Sequence, residues 1–148
     1  GIRSGTENLT GIVGMAKAVE IAHQKQQVMY ELLSYLSSRI HQRIITGFDC
    51  VINGPELGGR RLPNNLSISF RDVIGTQLAY WLDQNDIFLS TGSACNSTSI
   101  KPSHVLRAIK VPEDYIRGTI RISLGKDFIE SDIPRMIAKI KDGIDAVS

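Results

Sequence analysis

Apolar and polar positions follow two periods along this chain, and these periods predict its elements. Apolar side chains recur at steps of three and four between residues 8 and 43, which predicts one long helix. Alternation over 65–70 and over 119–124 predicts two strands, and the short apolar run 87–89 predicts a third. Helical spacing and start signals predict further helices over 74–84, 102–109 and 132–147. We therefore expect an α+β fold, a two-layer sandwich in which helices cover one face of a small, mainly antiparallel sheet.

The long helix has features that predict its surroundings. Thr6 or Asn8 can cap its first amides, because their side-chain oxygens accept hydrogen bonds there. Gly11 and Gly14 weaken the helix locally, so we expect close packing against another element at that point. A helix of this length in a small domain usually spans two units or leans on a partner.

Composition limits the class of protein. The 148 residues suffice for one domain with a buried core, and 42% of them are hydrophobic, as in soluble globular proteins. A net charge of +2 gives no reason to expect nucleic acid or an anionic membrane as a partner. No apolar run could span a bilayer, and no signal peptide is evident. The chain has only two cysteines, so we expect no disulfide framework. We therefore expect a cytoplasmic location, where thiols stay reduced. The loop-like start without Met suggests a piece of a larger protein.

Cys95 is the first candidate for chemistry. It lies in the polar run S-T-G-S-A-C-N-S, and reactive thiols need such a solvent-accessible polar setting. The stretch 90–99 has too little apolar surface to pack, which predicts a mobile tether for a nucleophile. The alternative is a small residue in an ordinary loop. Cys50 opens an apolar segment and is expected to be a packed thiol.

Two further segments suit the binding of anions. Alternation turns Arg121 away from the core, where a guanidinium on a strand can grip a carboxylate through two parallel hydrogen bonds. The alternative is an ordinary surface arginine. Residues 3–6, with Thr6 at a helix start, can form a phosphate site or simply a helix cap. His104 can act as a base or merely face solvent. Neither metal-ligand spacing nor a C-x-x-C pair occurs.

Three segments carry a family resemblance. They are R-S-G-T-E-N with G-I-V-G-M-A-K-A, S-T-G-S-A-C with P-S-H-V-L-R-A, and I-R-I-S-L-G. In this order they resemble the C-terminal part of the NifS/IscS-type cysteine desulfurases, pyridoxal-phosphate (PLP) enzymes of the class V aminotransferase group. The resemblance covers essentially the whole chain. It implies the small C-terminal domain of a fold-type I PLP-dependent transferase over 1–148, with 8–43 as the interdomain helix and the PLP-binding large domain absent.

The resemblance also implies roles for single residues. Cys95 would attack the sulfur of the PLP-bound L-cysteine, leaving L-alanine and a persulfide on Cys95. Arg121 would bind the substrate carboxylate, and Thr6 would reach the PLP phosphate of the neighbouring subunit in a homodimer. The sulfur would pass to an acceptor protein, such as an iron–sulfur scaffold or a tRNA thiolation enzyme. Neither a membrane nor direct contact with nucleic acid is implied.

One departure from the family pattern limits this interpretation. The family's PLP-linking lysine lies in a Ser/His-Lys motif, and no lysine of this sequence has that context. Because PLP supplies the electron sink for the reaction, we expect the chain alone to be inactive. Two other hypotheses remain at this point: a stand-alone persulfide carrier or thiol-interaction module without PLP, and a purely structural domain.

Overall fold

The computed structural model describes residues 4–91 and 103–147 of the chain. Its elements follow in the order α1 (Leu9–Gly47), β1 (Cys50–Ile52), β2 (Asn65–Phe70), α2 (Gly75–Asp83), α3 (His104–Ala108), α4 (Glu113–Ile116), β3 (Gly118–Ser123) and α5 (Asp132–Val147). The four helices predicted from the sequence are confirmed, and α1 continues four residues beyond its predicted end at 43. Neither α4 nor β1 was predicted, because segments of four and three residues are too short to show a period.

The three strands form one antiparallel sheet with β2 in the centre. The strands predicted over 65–70 and 119–124 are confirmed, the second with a shift of one residue. The register places Phe70 opposite Gly118 and Ile68 opposite Ile120. A Cβ atom on Gly118 would collide with the carbonyl oxygen of Phe70, so the two strands can approach this closely only at a glycine.

The strand predicted over 87–89 does not form. The amide of Ile87 donates to the carbonyl of Leu82 at 2.9 Å, at the end of α2, and is therefore not available to a neighbouring strand. The chain joins the sheet at Ser90, which pairs antiparallel with Arg121 on the outer edge of β3. Ser90 donates to the Arg121 carbonyl at 3.1 Å, and Arg121 donates back at 2.7 Å.

One face of the sheet forms the core with the helices. The buried side chains from the strands are Leu66, Ile68, Phe70, Ile120 and Ile122. They belong to one cluster with Leu78 of α2, Ile140 of α5 and the buried residues of the second part of α1, namely Leu36, Ile40 and Ile44. Burying each of these apolar side chains contributes about 1.5–3 kcal/mol. The predicted two-layer sandwich is thus confirmed.

A charged cluster holds α4 against the end of β2. The Nε and Nη2 atoms of Arg71 donate to Oδ2 of Asp114 at 3.1 and 2.8 Å, and Nη1 donates to Oδ2 of Asp49 at 3.2 Å. Tyr115 donates to the other Asp49 oxygen at 2.7 Å and lies under the Arg71 guanidinium. The three charged groups are exposed, so the cluster positions α4 more than it adds stability.

The chain divides into two compact units, one ending at Leu32 and the other starting at Leu33. In the first unit the cap predicted at Asn8 is confirmed, since its Oδ1 accepts from the Gly11 amide at 3.0 Å. The close packing expected at Gly11 and Gly14 is wrong for the described chain. A Cβ on Gly14 would meet nothing within 4 Å, and one on Gly11 would meet only the Asn8 side chain. The exposed apolar side chains of this unit are Leu9, Ile12, Val13, Met15, Val19, Ile21, Val28, Tyr30 and Leu32.

Arg61 lies partly buried in the loop between β1 and β2. Its Nε donates to the Asn65 carbonyl at 3.0 Å and its Nη1 to the Pro55 carbonyl at 2.9 Å, so it closes the loop before β2. Partial burial lowers the pKa of this guanidinium. Among the residues that the structure describes, no helix is long and apolar enough to cross a membrane.

Candidate functional site

The sheet face opposite the core carries a row of four polar residues. The β1 ladder continues to Asn53, whose amide donates to the Ser67 carbonyl at 2.9 Å. Ser67 is the cross-strand partner of Arg121, and Arg121 pairs with Ser90. Side chains of directly opposed residues lie on the same face of a sheet. We call Asn53, Ser67, Arg121 and Ser90 the polar row.

Arg121 is the only charged member of the polar row. It is exposed on β3 between buried Ile120 and Ile122, so the outward direction predicted from alternation is confirmed. Within residues 4–91 and 103–147 its guanidinium makes no hydrogen bond or ion pair with another side chain. Its five N–H donors are therefore available to an anion, and a carboxylate matches their planar arrangement.

A buried network of hydroxyl groups supports the polar row. Asn53 donates through Nδ2 to the hydroxyl oxygens of Ser67 at 3.1 Å and Ser69 at 2.9 Å. The Ser69 and Thr119 hydroxyls lie 2.6 Å apart, and Thr119 donates to the Ile116 carbonyl at 2.9 Å. The network thus runs from the end of α4 across β3 and β2 to the end of β1. It fixes the backbone on which Ser67 and Arg121 are mounted.

Cys95 lies outside the described residues, as does Arg3. The structure does locate the point from which the cysteine segment starts. Ser90 is the first residue of the S-T-G-S-A-C motif, and its backbone is paired with Arg121. The start of one predicted site segment and the second predicted site residue are therefore hydrogen-bonded neighbours.

Thr6 belongs to the first unit of the chain and precedes α1. It is exposed, and its hydroxyl has no partner within the described part of that unit. A free hydroxyl before a helix start suits one contact to a phosphate group. The residues present therefore fit PLP in part, since this contact is available while the family's lysine motif is missing from the sequence.

The remaining candidates contribute less. Cys50 is half-buried with Sγ 3.9 Å from the Ile44 carbonyl, and desolvation raises the pKa of its thiol, so the predicted packed thiol is confirmed. His104 is exposed at the first position of α3. Lys139 donates to Asn85 at 3.0 Å and lies over the Trp81 ring, so it is already engaged. No cluster of metal-ligating side chains occurs within the two described ranges.

Sequence reasoning missed three members of the polar row. Ser67 lies in the alternating segment N-L-S-I-S-F, which predicted a strand, and its serines already indicated a polar outer face. Asn53 and Ser90 follow short apolar runs, and no pattern in the sequence connects them to Arg121. Their role depends on strand register, which appears only in the fold.

Comparison with known proteins gives consistent results. The family described as Aminotransferase class-V matches residues 1–136. The protein named cysteine desulfurase IscS from Clostridium botulinum is 46% identical over 134 residues, which cover 90% of this chain and 34% of that protein. A solved NifS-like protein superposes with a TM-score of 0.80 at 32% identity, covering 99% of this chain and 36% of its own. A NifS-like protein from Rickettsia africae gives a TM-score of 0.79 at 25% identity, covering 97% and 37%.

The chain spans about a third of the length of the relatives it matches. The similarity extends over the α1 start, the polar row and β3, because the family match includes all of them. The similarity to these two solved structures agrees with the prediction of a domain from a fold-type I enzyme. This chain belongs to the class-V aminotransferase family.

Proposed function

We propose that residues 1–148 form the C-terminal small domain of a PLP-dependent cysteine desulfurase, which converts L-cysteine to L-alanine and leaves a persulfide on Cys95. The observation that carries the proposal is the backbone pairing of Ser90 with Arg121. It joins the start of the cysteine segment to the arginine that would bind the substrate. The identity of 46% to a protein named cysteine desulfurase supports the same reaction.

The reach of the chain makes this arrangement workable. Cys95 follows Ser90 by five residues, and a fully extended chain of that length spans about 17 Å at most. A cysteine whose carboxylate is held at Arg121 has its sulfur only a few bonds away. The thiol of Cys95 is therefore tethered within range of the substrate sulfur, and it has enough chain to carry the product sulfur outward.

The reaction balances with one nucleophile. The Cys95 thiolate attacks the substrate sulfur, an S–S bond forms, and the C–S bond of the substrate breaks. The electron pair of the broken bond stays with the carbon, which takes up a proton to give alanine. Arg121 holds the carboxylate and thereby orients the C–S bond toward the thiolate. When bound, PLP supplies the electron sink for this cleavage.

The chain supplies only part of the cofactor site. Thr6 would contact the PLP phosphate of the neighbouring subunit in a homodimer, whereas the lysine that links PLP is not found in the required motif. We therefore expect the 148-residue chain alone to be inactive. In the whole cytoplasmic enzyme, the persulfide would pass to an acceptor such as an iron–sulfur scaffold or a tRNA thiolation enzyme.

A persulfide carrier without PLP is the second candidate. A pure carrier has no use for a carboxylate-binding arginine. Here the Arg121 side chain is exposed and has no partner among the described residues, and the Arg121 backbone is paired with Ser90 at the start of the cysteine segment. The enzyme interpretation accounts for this arrangement and the carrier interpretation does not.

Alanine formation tests the proposal directly. The complete protein with PLP should release alanine from L-cysteine and carry a persulfide on Cys95. Cys95→Ser should abolish both, while the matched change Cys50→Ser should leave them intact. Arg121→Gln should lower kcat/KM about 100-fold, since it removes a charged two-point contact. Turnover by the 148-residue chain alone, well above that of free PLP, would contradict the proposed division of the cofactor site.

Thiol labelling tests the nucleophile separately. Iodoacetamide reacts with thiolates, and burial raises the pKa of Cys50, so its thiolate fraction at neutral pH is reduced. We expect Cys95 to be modified faster than Cys50 at pH 7.5, with mass spectrometry locating the label. Equal slow labelling of both cysteines would favour a purely structural domain.

A further inference from the structure

We propose that Ser67 is a second carboxylate-binding residue beside Arg121, and that Asn53 orients it. This inference rests on the proposed function, because it concerns the carboxylate of the same substrate. Ser67 is half-buried in the centre of the sheet, directly opposite Arg121 on the neighbouring strand. Together they would present one hydroxyl and one guanidinium to the same anion.

Strand geometry brings the two side chains close together. Arg121 exchanges both of its backbone hydrogen bonds with Ser90, on the outer edge of β3. The N–H and C=O of one strand residue point to the same side, so Arg121 has none left for β2. Arg121 and Ser67 therefore form a non-hydrogen-bonded antiparallel pair, the type whose Cα atoms are only about 4.5 Å apart. In such a pair the side chains are at their closest.

The buried network fixes the direction in which its protons point. The Ile116 carbonyl can only accept, so Thr119 donates to it and must accept from Ser69. Ser69 then has no proton for Asn53, and the amide nitrogen of Asn53 donates to it instead. If the Asn53 amide were turned over, Ser69 would donate to Asn53 and Thr119 would have to donate to Ser69. The Ile116 carbonyl would then lose the Thr119 proton, and one hydrogen bond fewer would form.

This direction determines what Ser67 can offer. Its oxygen already accepts the second proton of the Asn53 amide at 3.1 Å, and its own O–H proton has no acceptor within the described part of the chain. Asn53 is 4% exposed, and its Nδ2 donates to both Ser67 and Ser69. The Ser67 hydroxyl proton is therefore available for a hydrogen bond to an anion beside Arg121, such as a carboxylate.

Inhibition by two small amines tests the proposal in the complete enzyme. L-alanine carries the carboxylate, and ethylamine has the same carbon–nitrogen skeleton without it. In Ser67→Ala the inhibition constant of L-alanine should rise about tenfold, as expected for the loss of one hydrogen bond to a charged group, while that of ethylamine stays unchanged. The KM for L-cysteine should rise by a similar factor at nearly constant kcat, because the contact exists before and during the reaction.

Matched variants separate binding from folding. Ser67→Thr keeps the hydroxyl and should restore the affinity for alanine. Ser123→Ala removes a hydroxyl two residues beyond Arg121 on the same face of β3, and it should change neither inhibition constant. Equal weakening of both inhibitors in Ser67→Ala, or no weakening of alanine, would overturn the role of Ser67. A wild-type enzyme that forms no alanine from cysteine would instead overturn the proposed function.

Discussion

The two faces of the three-stranded sheet differ in composition, in burial and in what they can bind. One face presents aliphatic and aromatic side chains, and those of β2 and β3 are buried against α2, α5 and the second part of α1. The other face presents hydroxyl and amide groups that are buried beside α4 and open at Arg121. The apolar face thus fixes the strands in place, and this rigidity holds the backbone of Arg121 at a defined position on the polar face.

Ile120→Ala, on the apolar face, should cause the largest loss of stability among the sheet variants. Ile120 has no exposed surface, and removing three methyl or methylene groups leaves a cavity between the sheet and the helices. We expect the free energy of unfolding to fall by about 4 kcal/mol, measured by urea denaturation. Ile129→Ala, at a side chain that is 58% exposed, is the matched control and should change it by less than about 0.5 kcal/mol. Similar losses for both variants would contradict the assigned core.

Ser69→Ala, in the buried part of the polar face, should cause an intermediate loss of stability. The change removes the acceptor of an Asn53 proton and the donor to Thr119, both of them buried. We expect a loss of about 2 kcal/mol in the same denaturation experiment, because buried polar groups lose their partners. Ser123→Ala, on the exposed part of this face, should change stability little. A Ser69→Ala variant as stable as wild type would show that the network contributes no net stability.

Arg121→Ala, on the open part of the polar face, should have the smallest effect on stability. The side chain is exposed and has no partner within the described residues, so the free energy of unfolding should change by less than about 0.5 kcal/mol. Affinity for a carboxylate ligand should nevertheless fall more than in any other variant described above. A loss of stability above about 1.5 kcal/mol would mean that Arg121 serves the fold rather than a ligand.

The sequence predicted most of the fold because the relevant patterns are local. Alternation over 65–70 and spacing over 8–43 are properties of neighbouring residues, and they gave the two long strands, α1 and the outward direction of Arg121. The strand predicted over 87–89 fails for a physical reason, because the Ile87 amide donates to the Leu82 carbonyl at the end of α2.

The candidate site was less accessible to prediction. Arg121 and Thr6 were found as single residues, but the polar row depends on which strand positions face each other. Register is a long-range property, and Ser67 is separated from Arg121 by more than fifty residues. The short β1 and the single pairing at Ser90 carried no pattern of their own, so Asn53 and Ser90 became visible only in the structure.

The position of Arg121 depends on the glycine at position 118 of the same strand. A Cβ at this position would collide with the Phe70 carbonyl oxygen, so any larger residue would push β3 away from β2 and displace the strand that carries Arg121. A substitution at Gly118 would thus impair the proposed activity without removing any of the residues proposed to bind the substrate. Genetic screens for inactive alleles should recover changes at Gly118 alongside those at Arg121.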